Sequence, residues 1–162
     1  MVESNQIDMG ERYKNWMETL VRFTVITFNV GAEVARESYL KKLEEEFYKS
    51  GARAAKHWRE IAGLKRAEPD CIALGTLMDA VDDSFANWWD GYVENSPTAF
   101  EKHILSCPCA EQLKRAPVFC ERMVVAQSRG LLGVLNPKAT ITWNKFLSRG
   151  DHTCNYRIEI NP

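Results

Sequence analysis

Between residues 10 and 28, Tyr13, Trp16, Met17, Leu20, Phe23 and Thr27 recur at steps of three and four, the signature of one face of an amphipathic helix. Gly31 is the natural break after it. A cleaner pattern runs from Ala32 to Ala62, where Leu40, Leu43, Phe47, Gly51, Ala54, Trp58 and Ile61 share a stripe and Lys41, Lys42, Glu44, Glu45 and Glu46 lie opposite. That spacing predicts a long helix, bent at Ser50-Gly51, with Gly63 as its cap and the charges as its solvated face. A polar linker, Lys65 to Pro69, follows. Asp70 then stands where an N-cap belongs, ahead of a helix with Cys71, Leu74, Leu77, Met78 and Val81 on one side. Asp79, Asp82 and Asp83 crowd the end of that helix, where the dipole opposes carboxylates, so they are either solvated or hold a cation; solvation is the expectation.

The pattern changes after Ser84. Ala86 to Val93 is aromatic-rich and runs into Glu94-Asn95-Ser96-Pro97, a turn signal, after which Thr98 to Leu105 returns as a second strand. Pro117 suits the first turn of another helix, with Cys120, Met123, Val124, Gln127 and Leu131 inward and Gly130 and Gly133 at its end. Thr140 to Leu147 reads as a strand. In the last strand Cys154, Tyr156, Ile158 and Ile160 alternate with Asn155, Arg157 and Glu159, so one face is buried and one wet. The order predicts α+β: an antiparallel sheet of about four strands, with a helical N-terminal layer (about 10–83) packed mainly on one face and a mixed part (about 84–162).

Composition narrows the function classes. A chain of 162 residues with a net charge of −1 reads as a single domain of ordinary globular type, and nothing in its charge points to nucleic acid. The N-terminus lacks a secretory pattern, and Val21 to Ala32 is too short and too polar to span a membrane, so a cytoplasmic protein is expected. In a reducing compartment five cysteines read as thiols, metal ligands or a redox pair. A homodimer through the long helices is one possible assembly, although the monomer's own core explains their stripes equally well.

The candidate chemistry lies between His103 and Cys120 and in the run Gly150 to Cys154. Cys120, three residues after Pro117, is placed where unpaired helix N–H groups favour a thiolate. Cys107-Pro108-Cys109 is too short for a zinc knuckle. If it converges with Cys154, Cys120, His103 or His152, the cluster suits zinc or iron, with Cys107, Cys109 and Cys154 as the first ligands. Trp88 and Trp89 point to opposite faces of a strand, leaving one, Trp89, to line a ligand pocket. His57 and Cys71 read as packing residues.

Ser106-Cys107-Pro108-Cys109-Ala110, Cys120, Leu135-Asn136-Pro137 and Ser148-Arg149-Gly150-Asp151-His152-Thr153-Cys154-Asn155-Tyr156-Arg157-Ile158 together resemble the L-2-amino-thiazoline-4-carboxylic acid hydrolase-like family, over roughly residues 70 to 162. The resemblance implies a hydrolase that opens a small cyclic amidine. Cys120 would attack the carbon between sulfur and nitrogen, His103 or His152 would move protons, Asp151 would orient a histidine or water, and Arg149 would pair with the substrate carboxylate. The residues themselves leave Gly150-Asp151 equally readable as a plain hairpin turn. The C-terminal strand also resembles that of 4-vinyl reductase domains, which implies the alternative of a non-enzymatic sensor or accessory domain that binds a small molecule or metal.

Overall fold

The computed structural model describes residues 9–61 and 68–161. The first element is α1, a helix that runs unbroken from Met9 to Ile61, 53 residues, or about 80 Å at 1.5 Å per residue. Gly31 does not break it. The ring of Tyr39 lies where a Gly31 side chain would go, 2.3 Å from the position of a Cβ. The expected Gly63 cap and the start of the linker lie outside the described residues, as do the side chains of Tyr13, Trp16, Met17 and Ile61.

Gly51 marks a helix crossing. A Cβ there would come within 1.9 Å of the Gln127 carbonyl oxygen, and one at Gly130 within 2.0 Å of the Tyr48 carbonyl oxygen. The two glycines let α1 lie backbone to backbone on a C-terminal helical segment, a π-helical turn Phe119–Val124 that runs into α4, Val125–Leu135. Neither Gly130 nor Gly133 ends α4. It stops at Asn136, which leaves helical geometry at φ −144° and ties the chain down by donating from its side chain to the Pro69 carbonyl (3.0 Å).

The stripe predicted for the first part of α1 is rotated. Val21, Val25 and Phe28 pack inward against Ala116, Phe119 and Met123, whereas Leu20 and Phe23 are exposed. Farther along, Leu40, Leu43, Phe47 and Gly51 keep to the predicted face, but Ala55, fully buried, takes the place expected for Ala54.

Helix α2, Cys71–Ser84, is capped as its sequence predicts, the Asp70 carboxylate accepting from the Ala73 N–H at 2.9 Å. Its buried Cys71, Leu74, Leu77 and Met78 face a four-stranded antiparallel sheet: β1 Trp88–Asn95, β2 Ala99–Ser106, β3 Ala139–Lys145 and β4 Cys154–Ile160, in the order β1-β2-β4-β3. A short helix α3, Ala110–Leu113, follows β2.

Register decides which side chains share a face. Phe100, Lys102 and Ile104 of β2 stand opposite Ile158, Tyr156 and Cys154 of β4, and β3 adds Ile141 and Trp143. This face joins α2 and α4 in the main core, with Phe100, Tyr156, Ile158, Leu132 and Leu135 essentially sealed. The other face carries polar side chains: Arg157 bridges Glu94 and Glu101 at 2.6 and 3.0 Å, and Asn155 donates to Glu101. The α+β prediction therefore stands, with the helices on one side of the sheet. No helix among the described residues is long and apolar enough to cross a membrane.

Candidate functional site

Four thiols meet where β2, the π-helical turn and β4 come together. Cys107 follows the last residue of β2, Cys109 caps α3, Cys120 lies in the π-helical turn, and Cys154 opens β4 opposite Ile104. Each influences the ionisation of another: Cys109 lies near Cys107 and Cys120, and Cys120 near Cys154 and Cys107. The cysteines are thus neighbours, whereas the histidines that the sequence reading would have joined to them are not.

Their chemistry differs. Cys107 to Ala110 form a tight turn closed by the Ala110 N–H donating to the Cys107 carbonyl at 3.0 Å. Hydrogen bonding from the Cys109 thiol, then from the backbone N–H groups of Cys109 and Ala110, holds the Cys107 thiol below its ordinary pKa despite burial. Cys109 is pushed the opposite way because it donates to Cys107. Burial raises Cys120 to about 12 and Cys154 to about 11, so both are neutral thiols near pH 7. Cys154 also accepts from the Leu147 N–H at 3.2 Å.

Cys120 lies in the first turn of this helical segment, as its distance from Pro117 predicts, but burial outweighs any support that the helix start gives a thiolate. The π-helical turn around it is clamped to α1 by Arg122, which donates to Glu37 through two nitrogens (2.8 Å each) and also reaches Glu44. Beside it, the Ser148 hydroxyl is buried and without a well-formed hydrogen-bond partner among the described residues, yet close enough to the Cys120 thiol to offset part of the burial effect. Among the described residues no three His, Cys, Asp or Glu side chains stand in metal-binding geometry.

The other nominated residues lie elsewhere. His103 pairs with Asn155 on the opposite face of the sheet from Cys154 and has Glu101 at 3.7 Å. His152 is exposed in the loop before β4. The Asp151 carboxylate accepts from the Phe146 N–H (2.8 Å) and from Arg149 (2.8 Å), and these bonds hold it below the usual carboxylate range. Arg149 also donates to the Asn144 carbonyl at 3.2 Å. Together they lock a turn whose Gly150 has φ +94°, as the plain hairpin reading of Gly150-Asp151 expects.

Trp89 covers a buried charge. Its ring lies 4.1 Å from Nζ of Lys102 and stacks on Tyr92. Lys102 is fully buried and donates to Asp79 and Asp82, each at 2.6 Å. Tyr92 donates to Asp79 (2.6 Å) and Tyr156 to Asp82 (3.2 Å). Hydrogen bonding to Asp79 pushes the Tyr92 hydroxyl up to about 12. Asp79 and Asp82 therefore hold a cation rather than standing solvated. Sequence reasoning missed Lys102, although strand alternation places it on the same face as Phe100 and Ile104.

An open groove of about 520 Å³ runs between α1 and α3, lined by Arg22, Val25, Ile26, Asn29, Gln112 and Arg115 among others. Cys109 lies near Glu18, one helical turn before Arg22.

No family profile and no curated protein matches this sequence. Among solved structures, a trafficking protein particle complex subunit 3 from Naegleria fowleri, covalently bound to palmitic acid, matches with a TM-score of 0.60 and 14% identity, over 91% of this chain and 97% of that one. The two share a fold. That finding overturns the hydrolase and cyclic-amidine expectation, because the architecture expected to carry ring opening is that of a trafficking-complex subunit. The geometry agrees with the correction, since the thiols and the histidines are not assembled in one place.

Proposed function

We propose that this chain is a non-enzymatic accessory subunit whose thiol cluster holds a small ligand, and that the ligand is an acyl group carried on Cys107. One observation carries the reading: Cys107 has the donors that favour a thiolate, while His103 faces the other side of the sheet and the Asp151 carboxylate is already paired within its own turn. Such a site forms a covalent adduct and keeps it. Attack of the Cys107 thiolate on an acyl-coenzyme A thioester makes a new thioester and releases coenzyme A as its thiolate. The palmitic acid on the Naegleria subunit supports this ligand class, and that subunit's place in a complex supports an oligomeric setting.

The test is intact-mass spectrometry after incubation with palmitoyl-coenzyme A. The expected result is one hydroxylamine-labile acyl group on the wild type and none on Cys107→Ser. Steady release of free palmitate, or equal acylation of Cys107→Ser, refutes the reading.

A further inference from the structure

The turn that carries Cys107 has a second use. Pro108 fixes its own φ near −65°, Cys109 follows at φ −96° and ψ 0°, and the Ala110 N–H closes back on the Cys107 carbonyl, which is the geometry of a type I β-turn. In such turns an Asp or Ser at the first position commonly accepts from the N–H groups two and three residues on. Here the Cys107 sulfur occupies that place, facing the N–H groups of Cys109 and Ala110 and the thiol of Cys109. Two residues apart in a turn, the Cα atoms fall within the roughly 4.4–6.8 Å that a disulfide spans.

The remaining thiols are poor competitors. Cys71 is fully sealed in the core, its thiol directed at the Ile158 carbonyl. Cys120 and Cys154 are half-buried and lack charge-stabilising donors, apart from the Ser148 hydroxyl and the Leu147 N–H. A chain with five cysteines thus has one pair in which a supported sulfur and a protonated thiol stand two residues apart in a single closed turn.

We propose that Cys107 and Cys109 form an oxidisable dithiol, which hydroperoxides convert to a disulfide within the turn. The Cys107 thiolate attacks the peroxide O–O bond, giving the sulfenic acid and hydroxide. The Cys109 thiol then displaces that oxygen as water, forming the S–S bond; the two electrons lost by the sulfurs reduce the peroxide. The inference does not depend on acyl transfer, because the disulfide forms whether or not an acyl donor is present.

The test uses the full chain, purified anaerobically and treated with one equivalent of hydrogen peroxide, then alkylated and digested with trypsin. The expected result is loss of two alkylation sites, both within residues 103–114, in a peptide two hydrogens lighter. A thiol reductant should restore both sites. Cys109→Ser keeps a hydroxyl donor beside Cys107 but removes the resolving thiol, so it should stop at a sulfenic acid on Cys107 that dimedone traps. Oxidation that falls first on Cys120 or Cys154, a disulfide between two chains, or a Cys109 that stays alkylatable after Cys107 is consumed overturns the inference. Failure of acylation with a normal disulfide discards only the acyl reading, and the converse discards only this one.

Discussion

Replacing Lys102 by methionine tests whether the charge network beneath Trp89 contributes to stability. The substitution keeps most of the side-chain volume and removes the ammonium. Lys102 is 0% exposed, against 15% for Asp79 and 5% for Asp82, and its Nζ lies 2.6 Å from an oxygen of each. Without it two carboxylates remain close together with, among the described residues, only Tyr92, Tyr156 and Asn87 as donors. Removing one partner of a buried ion pair costs about 3–5 kcal/mol, because the group left behind is charged and poorly solvated. For a chain of this length each kcal/mol corresponds to about 2–4 °C in Tm.

The expected effect is therefore a loss of on the order of 10 °C, with a matching fall in the urea midpoint followed by far-UV circular dichroism. Asp82→Asn in the Lys102→Met background should recover part of the loss, giving a coupling of about 2 kcal/mol in a double-mutant cycle. Asp82 is the better partner to neutralise, since it is the more deeply buried carboxylate. A loss under about 1 kcal/mol, the level of an exposed pair, together with zero coupling, would refute the assignment of this network as a buried structural element.

The helix crossing and the Arg122 clamp lead to further outcomes. Gly51→Ala and Gly130→Ala each place a Cβ within about 2 Å of a carbonyl oxygen and should cost roughly 1–3 kcal/mol in urea unfolding. Gly133→Ala meets only the Tyr48 hydroxyl at 3.4 Å, and should be neutral or gain up to about 1 kcal/mol from helix propensity. Glu37 and Glu44 are held below their ordinary pKa by hydrogen bonds from Arg122. Their contribution is present above the unfolded carboxylate pKa and disappears as pH falls through the lowered folded value. Arg122→Ala should flatten this acid limb of the stability curve, read by thermal melts between pH 3 and pH 7; an unchanged acid limb would show that the clamp does not hold the π-helical turn.

Much of the fold was legible because some residues admit one reading. The β4 alternation from Cys154 to Ile160 and the Asp70 cap each satisfy a local rule, and the structure obeys both. Glycine admits two readings. Gly31 and Gly130 look like helix breaks in sequence and Gly51 like a bend, yet the same missing Cβ makes room for the Tyr39 ring at Gly31 and for a second helix at Gly51 and Gly130. Which use applies depends on what lies opposite, and that is a long-range fact. The rotated stripe on α1 has the same origin: two apolar sets are interleaved there, and only the packing of Ala116, Phe119 and Met123 selects Val21, Val25 and Phe28 over Leu20 and Phe23.

For the site, residue type was legible and orientation was not. Convergence of the cysteines was a condition that the sequence left open; the strand ends and the helix that follow from local patterning bring four of them to one corner. His103 is one residue from Ile104, whose partner is Cys154, and in a strand that single step places it on the opposite face. Asp151 and Arg149 had the right chemistry for catalysis but satisfy each other within a short turn. A sequence motif counts functional groups without counting their existing partners. Here donors gather on Cys107 while Asp151 is paired with Arg149 and His103 faces the other side of the sheet, and it is this difference in existing partners that the proposed adduct on Cys107 rests on.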